Sequence, residues 1–434
     1  MRMKFNKSSQ LLVVSAVSLL TAGLITACAT ATTDFVFVTS SKAAGTSSYG
    51  EVDVFEINRV SGYMRQIPTS PFPSGGRDPV AEATSPDNTN LYVVNQLDNT
   101  IVQFLIGSDG KLYPENTYDT TGNYTSSGIE SPVGSVPVAV AANGSNLFVA
   151  NSYQPLSTCS VNEPCSGSIG VYPILTAAQA EALTPAEIAD SLGTPVANPS
   201  TGANYWPLNL TGSSDIMVPT AVHVLSSGAY VFVSAYDSTT TTSNASYIFA
   251  FAVGSGGALS PVSGSTFTVA GGVKPSGIGS DSTSSYVYVT DYSTGEVFGF
   301  SVASATGVLT SLSGSPYTAG NGPSSIAVDS TYAYAYVANA TDGNVSAYSI
   351  GSNGALTRIG TYAAGIDPLA IGIDPSTSHF VFTANFTPDG VYGTVSDFQM
   401  DTTAGTLINT ASSPYKGNAQ LTAVAAIPHG SSQK

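Results

Sequence analysis

The feature that most constrains the fold is a stretch of sequence that recurs along the chain with small changes. Residues 91–115 read LYVVNQLDNTIVQFLIGSDGKLYPE, and residues 334–360 read YAYVANATDGNVSAYSIGSNGALTRIG. An alternating strand that ends near an aromatic residue occurs seven times, with the aromatic at Phe37, Tyr92, Phe148, Phe232, Tyr288, Tyr336 and Phe382. Five of these have a second aromatic two positions earlier, which places both rings on one face of a strand.

Three further segments accompany each aromatic strand. A second strand follows all seven, with Val or Ile three residues before an aromatic, as in Ile101 and Phe104. In six repeats a Gly-containing turn then precedes a third strand, because Gly accepts the positive φ of a tight hairpin. Six aromatic strands are preceded by a strand entered through Pro, such as DPVAEAT at 78–84. The first repeat lacks this strand, but the chain ends in an unaccompanied one, AQLTAVAAIP at 419–428.

Four antiparallel strands repeated seven times predict an all-β fold, a seven-bladed β-propeller over residues 34–430. We expect the C-terminal strand to join blade one and close the ring, which removes the exposed strand edges. Residues 1–27 read as a signal peptide, 28–33 as a short linker and 431–434 as a tail.

Blade three carries an insertion. Its aromatic anchor lies 84 residues before that of blade four, whereas the other anchors are 46 to 56 residues apart. Within the insertion Thr184, Pro185 and Glu187 form a helix-start pattern with an N-cap and a capping box. The pattern predicts one short helix from Pro185 to Leu192, ending at Gly193.

The N-terminus has the pattern of an export signal. A basic segment, residues 1–10, precedes the apolar run LLVVSAVSLLTAGLI, which is shorter than the roughly 20 residues that span a membrane. The sequence ITAC that ends at Cys28 resembles a bacterial lipobox, in which the cysteine carries lipid; ordinary cleavage at Ala27-Cys28-Ala29 is the alternative. We therefore expect an exported lipoprotein of the cell envelope, on the periplasmic or extracellular side, that touches the membrane through its lipid anchor only.

Charge and cysteine usage narrow the chemistry further. The net charge is −16, and removal of residues 1–27 leaves 9 basic and 28 acidic residues, which excludes a nucleic-acid role because phosphates need a basic surface. Cys159 and Cys165 are expected to form a small disulfide loop, since disulfides persist outside the cytoplasm. Two cysteines without a nearby histidine make a poor zinc pattern, so no metal and no cofactor are expected.

The motifs YVAN at 336, YVVN at 92 and YVTD at 288 resemble the YVTN family of propeller repeats. With the Pro-entered strands and GxL turns, the chain is also similar to the seven-bladed lactonase family, which includes 6-phosphogluconolactonases and muconate-lactone enzymes. That family usually has Arg-His after the entry Pro and Asn-Glu after the aromatic strand. Here the residues after the entry prolines are not followed by His: Val80, Val138, Thr220, Ser276, Ser324 and Leu369. No catalytic set is recognisable, and His223, His379 and His429 lie in different parts of the chain, where a structural or solvated role is expected.

A ligand site is predicted at one mouth of the central channel. The entry to each Pro-entered strand and the exit from each aromatic strand lie at the same end of the ring. The entries carry Arg77, Asp78, Lys274 and Asp367, and the exits carry Asn95, Asn151, Asp291, Asn339 and Asn385. Arg77 and Lys274 could bind a carboxylate or phosphate; the alternative is an ion pair with an acid such as Asp78. The Asn and Asp residues could instead hydrogen-bond their own turns.

Two functions remain open. The first is a binding or scaffold module at the cell envelope, with a glycan, a small polar ligand or an envelope protein as partner, because the long loops of this end are rich in Ser, Thr, Tyr and Asn. The second is a divergent lactonase-like hydrolase. In it Arg77 or Lys274 would orient the substrate and Asp78, Asp291 or Asp367 would activate water.

Overall fold

A computed structural model describes residues 32–41, 49–58, 61–122, 132–159, 162–183, 186–239, 245–375, 380–387, 392–418 and 420–428. The predicted signal peptide, Cys28, His379 and His429 lie outside the described residues. Within the described part of the chain, no helix is long and apolar enough to cross a membrane.

The described residues form seven antiparallel sheets, the blades, which follow one another along the chain. Blade one contains β1 (Thr32–Ser40), β2 (Glu51–Asn58), β3 (Met64–Gln66) and β4 (Phe72–Pro73). Blade two contains β5 (Pro79–Thr84), β6 (Asn90–Asn95), β7 (Thr100–Ile106) and β8 (Leu112–Asp119). Blade three contains β9 (Ser135–Asn143), β10 (Asn146–Tyr153), β11 (Ser168–Pro173) and β12 (Trp206–Pro207). Blade four contains β13 (Met217–Val224), β14 (Tyr230–Asp237), β15 (Ser246–Val253), β16 (Leu259–Pro261) and β17 (Phe267–Val269).

The last three blades repeat the pattern. Blade five contains β18 (Pro275–Ser280), β19 (Tyr286–Asp291), β20 (Glu296–Val302), β21 (Leu309–Ser311) and β22 (Tyr317–Thr318). Blade six contains β23 (Pro323–Val328), β24 (Tyr334–Asn339), β25 (Asn344–Ile350) and β26 (Leu356–Ala363). Blade seven contains β27 (Pro368–Ile373), β28 (Phe380–Asn385), β29 (Thr394–Met400), β30 (Leu407–Asn409) and β31 (Tyr415–Lys416).

The last strand, β32 (Leu421–Pro428), returns to blade one and pairs with β1 along its length, for example Phe37 with Ala425. The predicted ring closure is therefore confirmed. The innermost strand of each blade, here called the inner strand, contacts the inner strands of both neighbouring blades: β5, β9, β13, β18, β23, β27 and β32. These contacts form a closed ring around the central channel.

The repeated aromatics form the contacts between blades. All seven anchor rings are no more than 1% exposed, and apolar clusters lie between successive blades. The second aromatic, two positions earlier, supports the glycine turn of the next blade. A Cβ on Gly354 would lie 2.3 Å from the ring of Tyr286, and one on Gly405 would lie 2.5 Å from Tyr334. Both glycines have positive φ, so the turn needs glycine for backbone and for space.

The helix in the blade-three insertion is present but not where the sequence predicts it. It is α1 (Ala177–Glu181), with Thr176 as N-cap, and the backbone N–H of Thr176 donates to Gln179 Oε1 at 2.9 Å. The predicted helix Pro185–Leu192 is wrong over its described part, because residues 186–188 have no regular structure and 189–190 form a turn; Thr184 and Pro185 lie outside the described residues. Glu187 does not cap a helix, and its carboxylate accepts a hydrogen bond from Asn116 of blade two. A single 3₁₀ turn, Ser255–Gly257, completes the described helical structure.

Candidate functional site

The mouth of the channel is the end of the ring at which the inner strands begin and the aromatic strands end. Register places the two predicted groups of residues together there, because entry prolines face exit residues: Pro79 with Asn95, Pro275 with Asp291, and Pro368 with Asn385. All nine residues predicted for the site lie at this end. In each blade the pairing slips by one residue next to this point, which is the signature of a β-bulge.

Three of the four bulged inner-strand residues that carry a hydroxyl link one blade to the next, whereas the fourth, Thr220, bonds Ser234 of its own blade. Ser324 Oγ donates to the carbonyl of Pro368 at 2.6 Å, and Thr422 Oγ1 donates to the carbonyl of Pro79 at 2.7 Å. Ser276 makes the same contact with Pro323. The position that carries Arg-His in the lactonase family thus supports hydrogen bonds between blades in this chain.

The five exit residues are buried and hold the loops of the mouth. Asp291 Oδ2 accepts the backbone N–H groups of Val273 and Lys274 at 2.7 and 2.8 Å, and Asn339 Oδ1 accepts that of Gly320 at 3.0 Å. Each of the five is 0% exposed: Asn95, Asn151, Asp291, Asn339 and Asn385. Asp291 and Asn339 therefore satisfy backbone groups, as the turn interpretation of the sequence predicted, whereas Asn385 bonds the hydroxyls of Thr394 and Ser396. The ligand-binding role of the five residues stays a prediction.

Arg77 is paired with an acid, but the acid is not its neighbour Asp78. Its Nη2 lies 2.5 Å from Asp98 Oδ1, and its backbone N–H donates to Asp98 Oδ2 at 2.8 Å. The hydrogen bond and the charge of Asp98 raise the pKa of Arg77. Arg77 remains at the surface, so this pair fixes the entry loop while leaving part of the guanidinium accessible.

Two lysines of the mouth lie over exposed tyrosine rings. Lys274 Nζ is 5.9 Å from the ring centroid of Tyr292, and Lys416 Nζ is 3.1 Å from that of Tyr392. With Tyr49, which is 56% exposed, these tyrosines come from the second-to-third-strand loops of blades one, five and seven. The sequence indicates tyrosine-rich loops at this end, but it did not single out Lys416 or these three tyrosines.

Asp78 and Asp367 are the two carboxyls at the strand entries of the mouth. They occupy equivalent entry positions in blades two and seven, on either side of blade one, and both have positive φ, 55° and 49°. Both are half-buried, and neither carboxylate makes a side-chain hydrogen bond or ion pair with another described residue. Burial raises the pKa of both. Asp367 also lines a surface depression of about 580 Å³ together with Thr341, Asp342 and Ile366.

Two titratable residues, His223 and Glu82, lie within inner strands and away from the mouth. His223 Nε2 lies 2.8 Å from Ser280 Oγ of the next blade, and burial lowers its pKa to about 4, so it is neutral near pH 7 and structural. Glu82, which sequence reasoning missed, has both carboxylate oxygens shielded from solvent without a hydrogen-bond partner among the described residues. Burial raises its pKa to about 8, and the nearby backbone of Ala425 opposes this shift only in part.

The remaining predictions for this end concern the disulfide and metals. Cys159 and Cys165 form the predicted disulfide in the loop after β10, with a Cα–Cα distance of 5.4 Å. No group of three or more metal-ligating side chains is found in the described ranges.

Comparison with known proteins identifies relatives of the fold. Residues 287–429 match the family model described as Lactonase, 7-bladed beta-propeller. The chain resembles the lactonase propellers. Solved structures agree over 91–92% of this chain and 99% of theirs. A Bacteroides fragilis protein provisionally named a 6-phosphogluconolactonase is 19% identical with a TM-score of 0.65, and a periplasmic gluconolactonase of Pseudomonas aeruginosa is 16% identical with a TM-score of 0.65.

At these identities the lactonase likeness establishes the fold and leaves the activity open. A search of curated proteins found no match. The expected resemblance to seven-bladed lactonases is confirmed.

Proposed function

We propose that the chain is a lactonase-like propeller that works as a binding module at the cell envelope and takes a neutral, polyhydroxylated ligand at the channel mouth. The observation that carries this proposal is the pair Asp78 and Asp367, two half-buried carboxyls without a partner among the described residues, at equivalent entries of nearby blades. A carboxylate accepts hydrogen bonds from hydroxyl groups, and such charge-assisted bonds are among the stronger ones.

The other polar groups of the mouth support a hydroxyl-rich ligand. Asp98 and Asp291 already accept backbone N–H groups, so they are committed to the loops. Lys274 and Lys416 supply donors, and the exposed rings of Tyr292 and Tyr392 supply flat apolar faces with a polar edge. Carbohydrates present hydroxyls and apolar C–H faces together, which is the chemistry that this surface complements.

Export and lipid anchoring belong to the same proposal. They rest on the basic and apolar segments of residues 1–25 and on Cys28 at the end of the lipobox-like sequence. The disulfide between Cys159 and Cys165 supports an oxidising compartment. The solved relative from Pseudomonas aeruginosa is a periplasmic protein, which supports the same location for this chain.

Calorimetry of residues 29–434 against a panel of soluble glycans tests the proposal. Asp78→Asn and Asp367→Asn should each weaken the binding of the best glycan about tenfold, since each removes a charge-assisted acceptor worth roughly 1.5–3 kcal/mol. Glu115→Gln, an exposed acid on the outer strand β8, is the charge-matched control and should leave the affinity unchanged. Equal affinity of the wild type and both Asp variants would contradict the proposal.

A second candidate, lactone hydrolysis, is favoured by the family match over residues 287–429. Asp78 or Asp367 would take a proton from water while the oxygen attacks the lactone carbonyl; the ring C–O bond then breaks and the alkoxide takes up a proton. A raised pKa brings such a base nearer to neutral pH. Turnover of a lactone panel that includes 6-phosphogluconolactone, abolished in an Arg77→Ala, Lys274→Ala double variant, would favour this candidate over the binding module.

A further inference from the structure

The insertion in blade three lies against blade two at the end of the ring opposite the mouth. It begins after β11, whose last residue Pro173 faces Asn146 at that end. Tyr92 donates its hydroxyl hydrogen to the carbonyl of Asp190 at 2.6 Å, and the backbone N–H of Leu192 donates to the hydroxyl of Tyr118 at 2.9 Å. These bonds connect residues 186–192 of the insertion to two strands of the neighbouring blade.

Two carboxyls meet in this contact. Asp87 belongs to the turn between β5 and β6, and Asp190 belongs to the insertion. Thr89 Oγ1 lies 2.8 Å from Asp87 Oδ1 and 2.9 Å from Asp190 Oδ2, so one hydroxyl bridges both acids. Ser85 Oγ donates to Asp87 at 2.7 Å, and Asn90 Nδ2 reaches Asp190 at 3.1 Å.

The bridging hydroxyl has one hydrogen to donate. It cannot serve two ionised carboxylates at once, but the geometry is satisfied when Asp190 carries a proton. The protonated Asp190 then donates to Thr89 Oγ1, and Thr89 donates to the ionised Asp87. The pKa directions agree: burial and then Asp87 raise the pKa of Asp190, while hydrogen bonds from Ser85 and Thr89 outweigh burial and lower the pKa of Asp87.

We propose that Asp87, Thr89 and Asp190 form a pH-sensitive latch, which holds the blade-three insertion on blade two while the two carboxyls share one proton and loosens it when both are ionised. Ionisation of Asp190 sends its proton to solvent and leaves two carboxylates competing for one donor. Their repulsion acts in a partly buried contact, where it is weakly screened.

Two tyrosines of blade two and one glutamate of the insertion also face the latch. From β6, Tyr92 has a pKa raised by burial, and from β8, burial raises the pKa of Tyr118 to about 12, so both stay neutral. Glu187 of the insertion contributes an acceptor to Asn116 of β8. No lysine or arginine within the described ranges makes an ion pair with Asp87 or Asp190.

The sign of the effect follows from the two directions. Asp190, whose pKa is raised, contributes stability that is present at low pH and is lost as pH rises through its folded-state pKa. Asp87, whose pKa is lowered, contributes stability that is lost as pH falls through its own. The insertion is therefore held most firmly between the two folded-state pKa values and loosens as pH rises through that of Asp190.

Hydrogen exchange of residues 29–434, followed by mass spectrometry between pH 4 and pH 8, tests the latch. After correction for intrinsic exchange, the protection of residues 186–192 in the wild type should fall at least tenfold as pH rises, relative to strand β19 as an internal reference. Asp190→Asn should keep its protection across this range, because the amide imitates the protonated acid. Asn also tolerates the φ of 63° at this position, so the variant should fold.

A second variant keeps the test independent of that substitution. Asp87→Asn removes one charge of the pair, so the pH dependence of residues 186–192 should shrink there as well. A pH-independent wild type, or the same pH dependence in wild type and both variants, would overturn the proposal. Loss of glycan binding at the mouth would leave it untouched, since the latch lies at the other end.

Discussion

Glu82 is an acidic residue at a repeat position that is apolar in the other blades. The equivalent position, three residues after the entry to the inner strand, is Val or Ile in the other six blades: Val140, Val222, Ile278, Ile326, Ile371 and Val424. Burial raises the pKa of Glu82 to about 8. Between the ordinary glutamate pKa and pH 8, folding therefore takes up a proton that the unfolded chain has already lost. Its stabilising contribution is complete below the ordinary glutamate pKa and is lost as pH rises towards 8.

Glu82→Val and Glu82→Gln should therefore stabilise the protein more at pH 8 than at pH 4.5. We expect a gain in the free energy of unfolding of about 2–4 kcal/mol at pH 8 for Glu82→Val, which is less than the full shift implies because buried acids relax and admit water. Urea denaturation at both pH values measures it. A wild type and a Glu82→Gln variant with the same pH dependence would show that Glu82 is not the group responsible.

Among the elements, the inner strands of three blades carry a bulge hydroxyl that hydrogen-bonds the next blade. The Ser324 hydroxyl reaches the Pro368 carbonyl of the next blade at 2.6 Å and the Ala338 carbonyl of its own at 3.2 Å. Ser324→Ala should cost about 1 kcal/mol, the usual worth of such a bond. Ser301→Ala, which removes an exposed hydroxyl bond within one blade, should cost less than half as much in thermal denaturation. Equal losses of stability in the two variants would show that the bulge hydroxyl contributes no more than an ordinary exposed one.

For the strands and the helix, some predictions from the sequence were right and others were wrong. The strand order and the position of the mouth residues follow from the repeat, because antiparallel pairing sends Pro79 and Asn95 to one end. The helix was misplaced because Thr176-x-x-Gln179 and Thr184-x-x-Glu187 both carry a capping pattern. Glu187 contacts Asn116 of blade two, and a contact 71 residues away in the chain leaves no local signal. The pairing of Arg77 with Asp98 was hidden for the same reason.

For the whole molecule, closure of the ring gives every blade a neighbour on both sides. Apolar clusters lie between successive blades, including the pair formed by blades one and seven, so an open ring leaves two large apolar faces. β1 pairs with β2 on one side and β32 on the other, which leaves it without a free edge. Three ion pairs are found among the described residues, each at the surface, so burial between blades carries the stability.

Removal of residues 420–434 should therefore abolish the folded monomer, whereas removal of 429–434 alone should leave it intact, because the shorter deletion spares β32. Without β32, the edge of β1 and the faces of Val36 and Val38 become available to other chains, and the product should aggregate. Size-exclusion chromatography and thermal denaturation of both truncations measure this. A monomeric 1–419 fragment with an unchanged melting temperature would mean that the ring holds without its closing strand, and that stability is local to each pair of blades.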